Sequence, residues 1–592
     1  MSGSLTVAKK QNAVRLDAGT PDPSDWEQWV QHLQNRIKPI GLREAVKSGG
    51  RKALRWGLSD GHGVNDALPL LSNLENVARK RKSKRKSLDT AIATELEGWL
   101  QGLPAREVSR TLCLECIAWS YALVDLAREL PAAPWCELLD QLVEVANDAR
   151  RSSPSDDPLV QQWLVGELPL ILVCLFPELD QCQELHDSAS ELLSAALIDL
   201  LDGEGLIHSR AIESFRPLLA SWTRCQSLAC ANDRSCLTEA AQEQYDWMVL
   251  QMLRLSRGDG SQIFCDADEI GDWRKLSQAA LKLSGDPHDQ MVASRLFSGW
   301  PGSAKRSSRK SLPDASVCSE WAGIAVMRGG WGRGKTDLGV IFGEDSVFAG
   351  LSRGTQQIFT GPWKADVCVD GKRLAVQGRW SELCWFSDED VVYLELEAPL
   401  GNGIVLQRQV LVARKEEFLL LGHVVLGKKP VEIDLEVSWP LHESMHLQPA
   451  DETREVTISD RRKPRFLALP LSLPEWRAAP ADGELTVTTS GLLLKQRGVA
   501  SRLEVPLFID LDPRQRTKPY TWRQLTVAED LQVQPRDVAT GYRVQIGRRQ
   551  WMFYRSLAAK RIRTVLGQNL GCEYICGRFH TNGSVETLIE IE

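Results

Sequence analysis

From Pro23 to about Leu296, apolar residues recur three and four positions apart, the spacing that places them on one face of a helix. The runs DWEQWVQHLQNRI, SLDTAIATELEGWLQGL, REVSRTLCLECIAWSYALVDLAREL, APWCELLDQLVEVANDAR, SASELLSAALIDLLDG, RAIESFRPLLASWTRC and LTEAAQEQYDWMVLQMLRLSRGDG all carry it. Asp or Ser often precedes such a run and Gly or Pro ends it, as helix caps and stops should. The pattern predicts roughly ten to twelve amphipathic helices with short links, stacked as antiparallel hairpins in a solenoid or a closed α/α toroid. After Cys318 the period changes to two. AGIAVMR, DLGVIF, DVVYLELEA, IVLQRQVLVAR, EEFLLLGHVVLG, PVEIDLEVSW and SRLEVPLFID read as strands, with turns at Asp370-Gly371 and Asn402-Gly403. This predicts a large antiparallel β-sandwich. The domain reading is an arm over 1–22, a helical domain over 23–298, a linker over 299–317 rich in Gly, Ser, Pro and basic residues, and a β-sandwich over 318–592.

Composition narrows the class without deciding it. The 592 residues are 43% hydrophobic and 25% charged, ordinary values for a folded chain. A net charge of −7 gives no general attraction to nucleic acid, so no nucleic-acid partner is expected. The first residues lack the apolar core of a signal peptide, and the most apolar stretch, Leu168–Leu179, is too short to span a bilayer and contains Pro177. A cytoplasmic protein without a membrane span is the resulting expectation. Fourteen cysteines are scattered; Cys113 and Cys116 form a lone CxxC in a helical segment, so buried reduced thiols are expected and neither metal nor cofactor.

Two segments carry a resemblance. LLDGEGLIHSRAIESFRPLLASWTRCQSL (Leu200–Leu228) is similar to the Asp-Gly-containing helical segment of the heparinase II/III-like polysaccharide lyases. GVIFGEDSVFAGLSRGTQQIFTGPWKADVCVDGKRL, with the strand-rich stretch that follows it, resembles the first half of that family's β-sandwich. The resemblance implies a toroid followed by a sandwich, an acidic polysaccharide or oligosaccharide as partner, and a sugar cleft between the domains. Such lyases cleave a uronic-acid polymer by β-elimination. A base removes the proton α to the carboxylate, whose growing charge must be neutralised. The family uses Tyr and His for proton transfer, one His coming from the β-domain, with Asn or His holding the carboxylate.

This chain departs from that pattern. No His occurs between His288 and His423, and Phe215 stands where a Tyr is sought. Phe cannot transfer a proton. Two groups stand as catalytic candidates, His208 and Tyr245, with Tyr121 a further phenol able to reach the cleft. Substrate-binding candidates are Arg210, Glu213, Arg216 and Arg224 in the helical segment, and Arg353, Gln356, Gln357, Trp363 and Trp385 in the β-domain. Arg holds a carboxylate with two parallel hydrogen bonds, and an indole offers a flat face to a sugar ring. The plainer alternatives are a loop histidine, helix-surface arginines and a solvated β-loop. His423 alternates with Leu419, Leu421 and Val425, which marks it as a core histidine; Trp119, Trp163 and Trp247 are assigned to apolar helix faces, and Trp380, with Trp385 near an expected loop, is a candidate for ligand contact. RKRKSKRK, from Arg79 to Lys86, is either a polyanion-binding run or a solvated loop. GGWGRGK lacks the spacing of a phosphate loop. The expected function is therefore that of a lyase relative that binds acidic glycan with weak or no β-elimination, or of a non-catalytic scaffold whose helices bind a protein.

Overall fold

A computed structural model describes residues 23–37, 54–58, 62, 64–79, 89–264, 273–301, 312–460 and 463–592. The N-terminal arm, most of the basic run and the centre of the expected linker lie outside them. The described residues divide into two compact units. One is helical and holds those up to Leu253 and those from Trp273 to Gln290; the other holds Arg254–Phe264 and everything described from Met291 onward.

Helices run in the order α1 (Pro23–Ile37), α2 (Val64–Arg79), α3 (Asp89–Gly102), α4 (Arg110–Leu126), α5 (Ala132–Arg151), α6 (Pro158–Gln161), α7 (Leu168–Leu175), α8 (Asp180–Gln183), α9 (His186–Leu200), α10 (Phe215–Cys230), α11 (Glu239–Arg254), α12 (Trp273–Ser284) and α13 (Pro287–Leu296). Local chemistry starts them. The Ser109 hydroxyl accepts the Leu112 N–H at 3.3 Å at the head of α4. Asp157 does the same for Leu159 at 3.0 Å, with Pro158 in the first turn of α6. A π-helical turn, Gln162–Glu167, joins α6 to α7. The resulting run Pro158–Leu175 is long and apolar enough to cross a membrane by length and composition, and 89% of it is buried as in the core helix of a folded domain. It is longer than the apolar stretch read from sequence because the π turn continues the helix through Gly166. Indoles fill the core: Trp26, Trp29 and Phe176 surround Trp135, with ring centroids 5.3, 6.4 and 5.5 Å from it. Trp119 and Trp163 are buried as expected, whereas Trp247 is 48% exposed, a correction to its assignment to an apolar face. The CxxC thiols Cys113 and Cys116 are buried, and burial pushes Cys113 up to about 12, so it stays protonated and inert.

The second unit is all antiparallel. Strands β1 (Val317–Ser319), β2 (Ile324–Arg328), β3 (Thr336–Ile341), β4 (Phe348–Arg353) and β5 (Gln356–Pro362) make one sheet, in that order. A large central sheet is ordered β12 (Met445–Pro449), β13 (Val456–Asp460), β14 (Lys463–Pro470), β16 (Gly491–Asp510), β11 (Phe418–Pro440), β10 (Ile404–Ala413), β9 (Val391–Gly401) and β8 (Ser381–Ser387), and β17 (Tyr520–Gln524), β20 (Ala539–Ile546), β21 (Arg549–Ser556), β24 (Tyr574–Phe579) and β25 (Val585–Ile591) make a third. The central strands are β9, β10, β11 and β16. Alternation along them serves two cores. Leu394, Leu396, Val410, Val412, Leu419 and Leu421 pack with Met327, Val340 and Ile358 of the first sheet. Their neighbours Tyr393, Leu411, Leu420 and Phe508 pack with Val544, Trp551 and Phe553 of the third. The expected sandwich thus carries a third layer, and burial on both faces explains continuous apolar runs such as FLLLGHVVL. Asp370-Gly371 and Asn402-Gly403 have the positive φ values, 48° and 74° and 54° and 74°, that tight hairpins need.

Arg254–Phe264, read from sequence as the tail of a helix, is a hairpin of the second unit closed by a Ser256–Gln262 bridge. The fully buried Arg328 donates to the carbonyls of Arg254 and Ser256 at 2.7 and 2.8 Å and pairs with Asp337 at 2.8 Å. Gly339 leaves room for Ile263 and Phe264, whose side chains would lie 2.5 Å from an added Cβ.

One carboxyl here sets a pH dependence. Asp510, 5% exposed at the end of β16, is pushed up to about 7 by burial; the Asp512 N–H, 3.2 Å away, opposes this, and the Asp512 carboxylate adds to it. The folded chain therefore keeps a proton that the unfolded chain releases near the ordinary carboxylate pKa. The Asp510 contribution is fully present below about pH 4 and is lost as pH rises through about 7. Asp510→Asn keeps the acceptor and removes the titration. It is expected to stabilise the second unit at and above neutral pH by up to about 4 kcal/mol, with little gain near pH 4. Urea unfolding at a series of pH values measures this; a gain that does not grow with pH contradicts the assignment.

Candidate functional site

The segment similar to the lyases begins where α9 ends. Leu201 and Ile207 bridge across a tight turn, and the Asp202 carboxylate accepts the N–H groups of Glu204 and Leu206, both at 2.8 Å. Gly205, at φ 76°, sits against the α11 backbone; an added Cβ would lie 2.4 Å from the Met248 nitrogen. This pins the turn and directs the chain into a 3₁₀ helix, Ser209–Ser214, which leads into α10. His208 is half-buried at its head, and its Nδ1 accepts the Arg210 N–H at 3.2 Å. Arg210 and Glu213 are exposed.

Glu213 brings in a residue that the sequence reading missed. His62, 7% exposed, hydrogen-bonds the backbone of Glu213 and lies in the fields of Arg110, Glu213 and Asp157. Burial first, and then the Arg110 charge, hold its pKa below the ordinary imidazole value, so it is neutral at pH 7. Arg110 Nε donates to Asp157 at 2.6 Å. No spacing within the chain signals this cluster: its members come from four distant segments and only the fold assembles them.

Arg110 and Asp157 also line a groove of about 760 Å³ on the helical unit. Leu103, Leu112, Val160 and Leu164 are among its apolar lining residues, and Ser152, Ser153, Gln141 and Glu144 among its polar ones. Among the described residues its lining contains no aromatic ring. Arg106, also lining it, is paired with Glu115, which accepts the Trp99 indole N–H at 2.8 Å as well.

Other candidates of the helical segment are interior. Arg224 donates to both oxygens of Glu167 at 2.6 and 2.7 Å; Ser221 Oγ donates to the same carboxylate at 2.6 Å and accepts from Gln162 at 3.1 Å. The π turn places Gln162 and Glu167 opposite α10 for this network. Tyr245 is 0% exposed, and its hydroxyl pairs with Thr223 Oγ1 at 2.9 Å. Burial raises its phenol well above the usual range. Arg216 is buried under Gly57, and Phe215 is buried at the start of α10. Arg224 and Tyr245 are thus core polar groups without an open face, a correction to their reading as substrate and catalytic groups. Tyr121 is half-buried, and burial and the Glu167 charge push its phenol up.

In the second unit, Arg353 donates to Glu417 at 3.0 Å at the tip of the hairpin joining β4 (Phe348–Arg353) to β5 (Gln356–Pro362). Gln356 donates to the Met445 sulfur at 3.4 Å; Gln357 is buried and accepts from Thr360 at 3.0 Å. Trp363 is 1% exposed, and Trp385 is half-buried against the same core. Trp380, a candidate for ligand contact, lies outside the strands and is buried. Gln357 and Trp363 therefore face the core rather than a sugar. His423 is fully buried, as expected, and touches the edges of Trp363 and Trp439, with centroids 5.1 and 5.8 Å away. Burial, with the Arg408 charge, holds it well below the ordinary imidazole pKa. Among the described residues no group of three or more His, Cys, Asp or Glu is placed to hold a metal.

No family model matches the sequence, and no curated protein does. Solved structures do. A mutant of the heparan sulfate lyase HepC from Pedobacter heparinus is similar with a TM-score of 0.62, 11% identity, and coverage of 91% of this chain and 95% of that one. Unmutated HepC gives 0.58 at 11% identity over 93% of each chain. A heparinase III structure gives 0.59 at 10% identity over 84% and 82%. The chain has the heparinase III fold. Within the heparinase III fold, Leu200–Leu228 is the turn, 3₁₀ segment and central helix just described. Its outward groups are His208, Arg210 and Glu213, with His62 and Arg110 beside them. What the arrangement offers is a neutral imidazole, a half-buried second one and a guanidinium tied to a carboxylate, with Tyr245 sealed in the core.

Proposed function

We propose that this heparinase III-fold protein binds an acidic polysaccharide on the His208–Glu213 side of its helical unit, with weak or no β-elimination. The reach of the structural likeness supports the ligand class: it spans over nine tenths of both chains in two structures described as heparan sulfate lyases. The burial of Tyr245 and the Phe at position 215 support the loss of turnover. The exposed Arg210 and the groove-lining Arg110 offer charge-assisted hydrogen bonds to carboxylate or sulfate, and the half-buried His208 adds a polar group beside them.

Calorimetric titration with heparan sulfate, chondroitin sulfate and alginate oligosaccharides tests the reading. At least one should bind, with affinity falling as salt rises. Arg210→Glu should weaken that binding by roughly tenfold or more. Binding of none of the three, or binding indifferent to both salt and Arg210→Glu, contradicts it. A second reading, a scaffold that docks a protein partner on its helices, draws on the apolar residues of the groove, among them Val108, 63% exposed. It predicts that none of these glycans binds.

A further inference from the structure

Among the described residues, the core between the first and central sheets of the second unit holds a positive charge with no counter-charge. Arg408, on β10, is 3% exposed. It stands opposite Leu396 on β9 and His423 on β11. The indoles of Trp363 and Trp380 stack on it, their centroids 4.7 and 4.6 Å from Cζ. His423 and Trp439 continue the cluster through the ring contacts already given.

Its hydrogen-bonding inventory is one-sided. Arg408 Nε and Nη1, the indole nitrogens of Trp363, Trp380 and Trp439, and both nitrogens of His423 are buried and lack a hydrogen-bond partner. All but one of these are donors, since a neutral imidazole accepts at a single nitrogen. Stacking on two indoles offsets part of the desolvation of the guanidinium. It leaves the in-plane N–H bonds unmet, and each buried donor without an acceptor destabilises the fold. Burial lowers Arg408 only to about 9, so the charge remains at neutral pH. The neighbouring imidazole cannot neutralise a cation.

A species that completes this cluster must accept hydrogen bonds, carry negative charge and be small enough for a packed interior. We propose that the Arg408–Trp363–Trp380–His423–Trp439 cluster is a binding site for one small monovalent anion of halide size, which stabilises the second unit. Arg408, Trp363, Trp380, His423 and Trp439 are each 3% exposed or less, out of reach of a glycan chain, so the site is separate from the glycan surface proposed for the helical unit.

The test uses the intact protein. Crystals soaked in sodium bromide should show an anomalous peak within hydrogen-bond distance of an Arg408 nitrogen. The thermal midpoint should rise by roughly 5 °C from sodium gluconate to sodium bromide or chloride at equal ionic strength. Arg408→Met, of similar length and without charge, should abolish that difference; should the variant fail to fold, the wild-type soak and the halide comparison still decide. Ordered waters alone around Arg408, or equal midpoints in gluconate and bromide, overturn the proposal.

Discussion

Glu167→Gln is expected to destabilise the helical unit by about 3–5 kcal/mol. Glu167 is 0% exposed and receives two hydrogen bonds from Arg224 and one from Ser221. Gln keeps the shape but loses the charge, leaving a 6%-exposed guanidinium side chain without its counter-ion. Its amide also places donors against donors. Such a loss is a large part of the stability of any domain. Replacing the pair together, Glu167→Leu with Arg224→Met, removes both charges and should recover most of the loss. Urea unfolding followed by helical circular dichroism measures it. A loss below about 1 kcal/mol for Glu167→Gln contradicts the pairing as described.

Much of this architecture was legible because its determinants are local. The 3.6 and 2.0 periods marked the helices and strands. Asn402-Gly403 and Asp370-Gly371 marked hairpins because few other residues tolerate their φ values. The third sheet was less legible: a strand buried on both faces loses the alternation that would show which layer covers it. Arg254–Phe264 was misassigned for a related reason. Its partners are a buried Arg 72 and 74 residues away and a glycine whose missing Cβ makes room.

The site divides the same way. His208, Arg210 and Glu213 could be read as neighbours because they share one short segment with the Asp-Gly turn. His62 was missed because it meets that segment only in space. Arg224 and Tyr245 were misjudged because helical periodicity cannot separate a face turned to solvent from one turned to a second layer of helices. α10 is buried nearly all round, so its polar residues are solved by partners rather than by water.

The largest expected effect concerns catalysis. β-Elimination requires transfer of the α-proton and neutralisation of the carboxylate. The Tyr245 phenol is closed to solvent and hydrogen-bonded to Thr223, position 215 is Phe, and the His423 imidazole is enclosed by indoles. Loss of an electrostatic stabiliser alone lowers rates by around 10²–10³, and loss of general acid–base help by a further 10²–10⁴. Since such losses are not additive, turnover is expected at roughly 10⁻⁴ or less of that of an active lyase. His62 and His208 are the imidazoles described at this segment, so any residual activity should fall with His62→Ala or His208→Ala and be unchanged by Tyr245→Phe.

The most direct test is the ultraviolet absorbance of unsaturated uronate formed from heparan sulfate, followed beside an active heparan sulfate lyase at equal enzyme concentration. The expected trace is flat or nearly so. Robust turnover abolished by Tyr245→Phe would contradict the account, because it would require the phenol sealed beneath α10 to reach the substrate.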